Sequence, residues 1–571
     1  MSKKLELSEQ ASISLSPYIS NRIKEQAFAS VNDVIGDSDQ GSYSDIENFK
    51  PPQKIVRGLK TRHIQLIALG SAIGTGLFIG SGGALSVCGP APLLIAYIII
   101  SFFVWSIMNQ MTEMVCLIPL PGEASLYSLA KTYLNSSISF MCGWNLFYAM
   151  AMIVPAEITA CALLVQYWTD ANSAIFISIF IVVSILLTML PVKVFGESEF
   201  WVSSIKILTI VGLIIVGIVI FFGGGPAQHH VLGFHYWKNP GAFNPHLAEG
   251  NTGRFLAVWT AIIKSGFSFV LVPETVTSCS AECIAPRRNM PKACQRFIYR
   301  LAIFYIVGTL VVGVIVGYNN DRLINAIQSG KSDAAASPFV IGIQEAGIKI
   351  LPHIINACIL TSAYSCGTGL LYGSSRTLYS MALRGDAPKI FATVNRFGTP
   401  YYSTGLASLF SFLAYLNCSK SASVVFNWLS NIATISGFVS WIFVSMTYIR
   451  FRKVINALDL NDRVPFRRPF QVPLAYLTCG FFFILSLTNG YAVFVKGNWN
   501  VSDFFASYVT IGFVIFLYLV GSFYYKQWTF RDFKEIEVEI LPKIDIADEE
   551  ERNDVIPVPR NFIEKVWYFI V

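Results

Sequence analysis

The sequence predicts an all-α integral membrane protein built from twelve transmembrane helices, and three observations support this prediction. The chain has 571 residues, of which 54% are hydrophobic and 13% are charged, about half the charged fraction of an ordinary soluble domain. Apolar runs of about 20 residues, the length that crosses a bilayer, recur along the chain. Lys and Arg are concentrated in alternate loops between these runs, as in chains that cross a membrane repeatedly.

Twelve apolar runs are long enough to be membrane spans. The predicted intervals are 64–89, 91–117, 136–168, 174–192, 199–222, 255–281, 296–318, 338–380, 402–417, 423–449, 470–494 and 503–526. The third and eighth runs exceed one upright helix, so they are expected to tilt or to extend out of the bilayer. Residues 1–63 are predicted to be a disordered N-terminal tail, 64–527 the twelve-span domain and 528–571 a C-terminal tail.

The basic residues set the expected orientation. Loops 283–300, 376–396 and 450–469 carry fifteen Lys and Arg, whereas the alternate loops carry six. Basic loops face the cytosol, so both tails are expected to be cytosolic. The net charge of +7 then reflects membrane topology and does not indicate a nucleic-acid partner.

The sequence lacks motifs of the common enzyme classes. It has no GxxxxGK[ST] phosphate-binding loop and no HExxH zinc motif, and its histidines and cysteines do not have the spacing of metal ligands. No metal or cofactor is therefore expected. A membrane-embedded enzyme would need a His/Asp or Cys/His group at one membrane face, and the sequence shows none. A transporter driven by a gradient is favoured instead.

Two of the predicted spans contain helix-breaking residues near their middle. Residues 70–83, GSAIGTGLFIGSGG, include six glycines, and residues 264–274, KSGFSFVLVPE, place Gly266 and Pro273 around one serine and two phenylalanines. Unwound backbone at membrane depth is tolerated where it lines a cavity, and transporters bind substrate there. The two breaks lie in spans one and six, which are separated by five positions in the order of spans. The sequence therefore predicts a five-plus-five inverted repeat with discontinuous helices one and six. The alternative is that the glycines only allow close helix packing.

A broken helix suits a zwitterionic ligand. The N–H groups and the positive dipole end of a half-helix bind a carboxylate, and carbonyls freed by the break accept from an ammonium group. Two phenylalanines of the second break could cover the substrate as a gate. The predicted substrate-binding residues are Ala72, Ile73, Gly74, Thr75 and Gly76 in the first break and Phe267, Ser268 and Phe269 in the second.

Two charged residues within the spans are predicted to couple protons to transport. Glu157 lies in the apolar stretch MIVPAEITACALL of span three, and a carboxyl that can be charged or neutral there suits proton coupling. Lys206 lies in SSIKILTIVGL of span five and could hold a cation's place when protonated. The alternatives are a structural buried carboxyl for Glu157 and extension to the membrane surface for Lys206.

Four long motifs carry a family resemblance. The chain resembles the fungal amino-acid permeases of the amino acid–polyamine–organocation superfamily, in the yeast amino-acid transporter family, from about residue 55 to about residue 530. The motifs are RHIQLIALGSAIGTGLFIGSG, GESEFWVSSIKILTIVGLI, SSRTLYSMALRGDAPKIF and FNWLSNIATISGFVSWIFVSMTYIRFRK.

This resemblance implies a proton-coupled permease of the plasma membrane with twelve spans and the inverted repeat. Residues 74–76 resemble the family's carboxylate site, and Phe267–Phe269 resembles the other half of that site. Glu157 matches the acidic residue of span three that the family uses for transport. Lys206 matches the span-five lysine that stands in for a sodium ion in related proton-coupled members.

The span-six motif bears on the substrate. Many general members have FSYxGTE there, whereas this chain has FSFVLVPE, which together with GWNLFY and GGGPAQHHVLGFHYWKNPGAF is similar to the proline-permease branch. The resemblance therefore implies a small neutral amino acid, proline first, with a proton and the bilayer as further partners. The alternatives are a permease of other or broader specificity and a non-transporting nutrient receptor on the same fold. Receptors of this kind usually carry a long cytosolic extension; the short tails here are candidate docking sites for trafficking or ubiquitin machinery.

Overall fold

The structure of the chain, a computed structural model, is helical. It describes residue 70 and residues 73–120, 123–228, 230–278, 280, 283–328, 337–395, 398–418 and 422–553. The predicted N-terminal tail, Ala72 and residues 554–571 of the predicted C-terminal tail lie outside this part. The part described contains no β-strand.

Seventeen α-helices are formed in this part of the chain. In chain order they are α1 (Ser81–Cys88), α2 (Pro90–Leu117), α3 (Leu126–Tyr133), α4 (Ser136–Val165), α5 (Ser173–Met189), α6 (Val192–Phe221), α7 (Gly250–Gly266), α8 (Val272–Ser278), α9 (Pro286–Ile315), α10 (Asp321–Gln328), α11 (Pro338–Glu345), α12 (Leu351–Leu383), α13 (Tyr401–Ser411), α14 (Ala422–Ala457), α15 (Gln471–Thr488), α16 (Val501–Tyr525) and α17 (Phe533–Asn553).

Many of these helices have the length and apolarity of membrane spans. Among the described residues nine meet both criteria, with α7 and α8 counted as one, and the apolar helices 76–88 and Ser173–Met189 are shorter. The first of these short helices continues a predicted span whose beginning lies outside the described residues. The chain therefore has the helix pattern of a multi-pass membrane domain, and the count of twelve stays a prediction.

Helix α4 lies at the centre of the bundle. It is one helix of 30 residues, and the Asn135 side chain caps its start by accepting from the N–H of Ile138 at 2.7 Å. It packs against α12, α14 and α16. Of the residues in its most apolar 18-residue segment, 89% are buried, whereas the corresponding share is 33% in α6, α15 and α16. The outer helices therefore present apolar side chains to the bilayer, and α4 positions its side chains inside the protein.

The predicted eighth span, 338–380, is wrong as a single helix. The chain forms α11 and α12 instead, with a turn between Glu345 and Leu351. Gly347 in this turn has φ +81°, a conformation that glycine adopts readily and other residues rarely do. Pro352 then lies in the first turn of α12, where its missing N–H costs no hydrogen bond.

The bundle has two faces, which differ in chemistry. The face called here the vestibule face carries His246, Asn489 and Asn500. The opposite end of the helices, called here the basic face, carries Arg287, Arg463 and Arg531. Helix α17 lies on the basic face, so part of the predicted C-terminal tail is an ordered helix that the sequence analysis did not anticipate.

Candidate functional site

The first helix is interrupted near the glycine cluster. Gly70 is helical, Ile73 and Gly74 are not, and a π-helical turn at Gly76–Gly80 leads into α1. An interruption of this kind leaves backbone N–H and C=O groups without partners inside the helix. Nearby side chains take up several of them, as described below.

Two glycines of this break are needed because neighbouring atoms come very close. A Cβ atom on Gly74 would lie 2.7 Å from Glu157 Oε1 and 2.8 Å from Cys366 Sγ. A Cβ atom on Gly76 would lie 2.7 Å from the backbone Cα of Ser268 in the second break. Interiors packed this closely do not admit an extra carbon without displacement. The glycines thus provide space as well as weakening the helix.

Glu157 binds the first break directly. It lies on α4 and is 2% exposed. Its Oε1 accepts from the backbone N–H of Thr75 at 3.3 Å and from the Thr75 hydroxyl at 3.0 Å. A carboxylate at the start of a half-helix satisfies an N–H that the break leaves without a partner and favourably meets the positive dipole end.

Lys206 binds the other side of the same break. Its Nζ, on α6, is fully buried and donates to the carbonyl oxygen of Gly70. Glu199 Oε1 is 4.0 Å from this Nζ and accepts from the Ser365 hydroxyl at 2.7 Å. Because Lys206 is buried among these groups, the alternative in which it extends to the membrane surface is wrong.

The second break lies slightly beyond the position that the sequence indicated. Helix α7 runs into a 3-10 turn at Phe267–Phe269, after which Val270 has ψ 137° and Leu271 has φ +65°. The left-handed conformation of a leucine costs about 1–2 kcal/mol. Pro273, one of the two residues predicted to break the helix, lies instead in the first turn of α8, where proline is tolerated.

Hydroxyl groups and aromatic rings hold the second break. The Ser268 hydroxyl is 2.7 Å from the Tyr97 hydroxyl, and the Ser268 carbonyl accepts from the Tyr305 hydroxyl at 3.0 Å. The rings of Tyr97, Phe269 and Tyr305 have centroids 4.8 to 5.9 Å apart, within the range of favourable aromatic pairs.

A small cavity lies between the two breaks and a series of larger ones leads to it. The central cavity, about 20 Å³, is lined by Gly74, Gly76, Glu157 and Ser268 and has room for about one water molecule. Phe267 separates it from a cavity of about 60 Å³. That cavity shares Lys264, Asn427 and Asn431 with a vestibule of about 480 Å³, which reaches the vestibule face.

The described residues of the predicted site therefore converge on one place. Those that line or support the central cavity come from both breaks and from α4. The Ile73 carbonyl accepts from the Ser362 hydroxyl at 3.1 Å, Phe269 is buried behind Ser268, and Lys206 lies behind the first break on its Gly70 side. Ala72 lies outside the described residues.

Several residues at the site were missed by the sequence analysis. Glu199 precedes Lys206 by seven residues on one helix, which places the two residues two turns apart on the same face. This spacing in the sequence could have indicated Glu199 as a partner of Lys206. Tyr97, Tyr305 and Cys366 come from α2, α9 and α12. No spacing in the sequence connects them, because only the packing of distant helices brings them to the breaks.

Comparison with known proteins decides the family. Residues 63–533 match the family described as amino acid permease. The chain belongs to the amino acid permease family. This permease is 48% identical over 503 residues to the proline-specific permease of Saccharomyces cerevisiae, covering 87% of this chain and 80% of that one. It is 46% identical over 516 residues to the proline-specific permease of Emericella nidulans, and this match covers 90% of this chain and 93% of that one.

The fold of the permease is also similar to a solved structure. The manganese transporter of Eremococcus coleocola matches with a TM-score of 0.51 at 12% identity, covering 89% of this chain and 98% of that one. At this identity the likeness concerns the fold alone. Together, the family and the long apolar helices make the chain a multi-pass membrane amino-acid permease, from a family of transporters and not of enzymes.

Proposed function

We propose that this permease is a proton-coupled symporter that imports a small neutral amino acid, with proline the first candidate. The observation that carries the proposal is the contact of Glu157 with Thr75 at the first break. It joins a group that can gain or lose a proton to the backbone that is proposed to bind substrate. Two relatives that share nearly half of its residues are named proline-specific permeases, which favours proline.

The proposed substrate site is the backbone of the two breaks. The substrate carboxylate binds the N–H groups of residues 72–76, at the positive end of the half-helix, and the ammonium group binds carbonyls freed by the breaks. Phe267–Phe269 forms the other half of the site. The central cavity of about 20 Å³ is too small for an amino acid, so the breaks must move apart to admit one. Phe267, which lies between this cavity and the next, is the proposed gate.

The proposed coupling acts through hydrogen bonds at the first break. An ionised Glu157 accepts from both the N–H and the hydroxyl of Thr75, whereas a protonated carboxyl is a weaker acceptor and adds a donor. Proton uptake therefore changes the bonding of the backbone that meets the substrate. Lys206 donates to the Gly70 carbonyl and, when protonated, holds the place that a sodium ion occupies in related transporters.

The proposed topology follows the distribution of basic residues. Twelve spans form a five-plus-five inverted repeat within residues 64–527, and both tails, 1–63 and 528–571, are cytosolic. The basic face is then the cytosolic one, and the vestibule opens to the exterior of the plasma membrane. The tails are also the proposed contact sites for trafficking or ubiquitin machinery.

Uptake of labelled proline by cells that lack their own permeases tests the function. We expect saturable uptake that is faster at acid than at slightly alkaline external pH and is blocked by unlabelled proline or other small neutral amino acids. Glu157→Gln should remove the dependence on pH. Glu249→Gln, an exposed carboxyl, is the matched control and should retain it.

The other outcomes separate the alternatives. Competition by basic or acidic amino acids in place of proline contradicts the specificity. Wild-type pH dependence in Glu157→Gln contradicts the coupling role of Glu157. A chain that reaches the cell surface and binds proline without any uptake is a receptor.

A further inference from the structure

Helix α17 docks on the basic face through a single apolar stripe. Ile536, Ile540, Ile544 and Ala547 are buried, and their spacing of three or four residues places them on one side of the helix. The sequence between them is rich in charged residues. An apolar stripe stabilises a charged helix only when it is buried against another surface. The stripe therefore suits this helix to docking on the rest of the protein.

Ion pairs join α17 to three separate parts of the chain. Lys543 Nζ donates to Glu123 Oε1 at 3.0 Å, in the loop between α2 and α3. Asp548 pairs with Arg287 at the start of α9. It also pairs with Arg463, in the loop between α14 and α15. One helix therefore ties together segments that are far apart in the sequence.

These ion pairs are partly shielded from solvent. The Arg287 side chain is 5% exposed, and the side chains of Asp548, Glu123 and Lys543 are 25% exposed, so salt screens them less than surface pairs. Partial burial acts to raise the pKa of Asp548, but Arg287 and Arg463 outweigh it and lower that pKa below its ordinary value. A depressed pKa means that the contribution of the pair is lost only as the pH falls through that lowered value.

Two of the anchor points of α17 are linked to elements that meet the two breaks. Arg287 follows α8, the second half of the broken helix, and donates to the Leu117 carbonyl at the end of α2, at 2.8 Å. Glu123 precedes α3, which packs on α4, the helix that carries Glu157. In transporters with broken helices, access alternates as one group of helices rocks against another. A helix attached across such elements resists opening of the face that it covers.

We propose that α17 is a latch that keeps the basic face closed while it is docked and allows that face to open when it is released. Because its apolar stripe and its ion pairs must separate together, release of α17 limits opening on this side. The consequence for substrate release rests on the proposed function. The conformational step itself can be measured without transport.

Reversal of one charge tests the latch. In full-length Lys543→Glu, the pair with Glu123 and, within α17, the pair with Glu539 are both lost. We expect amide hydrogen exchange in α8 and at the end of α2 to become about two- to fivefold faster. Exchange of α17 should rise with it. Adding Glu123→Lys restores the pair with its charges exchanged, and both rates should return toward those of the original chain.

Glu549→Lys is the matched control for that experiment. It also reverses one charge, from negative to positive, at an exposed position of α17 and should leave exchange in α8 unchanged. Equal exchange in Lys543→Glu and Glu549→Lys contradicts the latch. So does a double variant, Glu123→Lys with Lys543→Glu, that exchanges as fast as Lys543→Glu alone.

A cross-link tests the consequence for transport. In Glu123→Cys with Lys543→Cys, a short bismaleimide should hold α17 docked. We expect proline uptake to fall about tenfold or more while proline binding from the vestibule face persists. Each single cysteine variant treated with the same reagent is the control. Undiminished uptake by the cross-linked protein contradicts the latch. An original chain that neither binds nor transports proline contradicts the proposed function, and hydrogen exchange then decides the latch.

Discussion

The two breaks of this permease are held by different chemistry. Glu157 and Lys206, two buried groups that can carry charge, bind the backbone on either side of the first break. The second break has no such group bonded to Phe267–Phe269 among the described residues; hydroxyls of Tyr97 and Tyr305 and an aromatic cluster hold it. In the proposed function, the first break therefore responds to protonation, whereas the second responds to the size and shape of the substrate.

In the proposed function, this difference gives separate tasks to the two halves of one small site. Charges exert strong forces in a buried environment, so in the proposed function a change in the protonation of Glu157 alters the hydrogen bonds of the first-break backbone. Rings and hydroxyls exert shorter-range forces, and Phe267 of the second break also borders the route to the vestibule. In the proposed mechanism, the first break thus couples the proton and the second selects and admits the substrate.

Of the substitutions that test the difference between the two breaks, neutralising Lys206 should have the largest effect on uptake and stability. Lys206→Gln removes the charge near Glu199 and the strong donor to the Gly70 carbonyl, and breaking a buried pair in this way costs about 3–5 kcal/mol. We expect uptake to be lost and thermal stability to fall. Because Glu199→Gln removes the charge left unpaired, the double variant should recover part of the stability.

The matched control for this prediction is Lys453→Gln, which neutralises an exposed lysine on the basic side. Uptake and unfolding temperature should both stay near those of the original chain. If Lys206→Gln behaves like Lys453→Gln, the first break does not depend on charge and the comparison between the breaks is wrong.

Filling the space between the breaks should have the next largest effect. In Gly76→Ala the new Cβ would lie 2.7 Å from the Cα of Ser268, and overpacking of this kind costs about 1–3 kcal/mol. We expect labelled-proline uptake per surface molecule to fall about tenfold. Gly80→Ala, where the nearest atom is 4.0 Å away, is the same change in the same turn. Similar uptake by the two variants would show that the breaks do not need to touch.

The first break could be predicted more fully than the second for a physical reason. Glycines that weaken a helix are visible in the sequence, and those at 74 and 76 fall where the helix is interrupted. At the second break, the left-handed residue is Leu271, a type that rarely takes this conformation. Tertiary packing imposes it, and no local pattern signals such a constraint. The same holds for Tyr97 and Tyr305, which reach the site from separate helices.

The C-terminal helix shows a signal that was present and was not used. Ile536, Ile540 and Ile544 repeat every four residues, a spacing typical of an amphipathic helix, within residues 528–571, which were predicted only as a tail. The turn that divides the predicted eighth span was harder to predict, because the sequence is apolar both before and after this turn. Composition thus predicted the membrane domain well, and it failed where a turn or a docked helix depends on a few residues.

Shortening Phe267 should change selectivity more than rate. This ring separates the central cavity from the next and packs against Phe426, with ring centroids 5.6 Å apart. In Phe267→Ala the partition is lost, so we expect larger neutral amino acids to compete with labelled proline about three- to tenfold more strongly, a range typical of changes in a hydrophobic pocket. The dependence of uptake on pH should persist. Phe222→Ala, at an exposed ring, is the control, and an unchanged competition profile in Phe267→Ala contradicts the gate.

Removing single hydroxyls from the second break should have the smallest effect and gives the finest test of the comparison. Tyr305→Phe keeps the ring but removes the donor to the Ser268 carbonyl, and one such hydrogen bond contributes about 0.5–1.5 kcal/mol. The half-saturating proline concentration should therefore rise about two- to tenfold. Tyr97→Phe should change it less, because the Ser268 hydroxyl can rotate and the other bond of the Tyr97 hydroxyl, to the Gly76 carbonyl of the first break, is long at 3.5 Å. In both variants the ratio of uptake at acid and alkaline pH should equal that of the original chain. If either variant flattens the pH profile as Glu157→Gln is expected to do, the second break takes part in proton coupling and the division of tasks between the breaks fails.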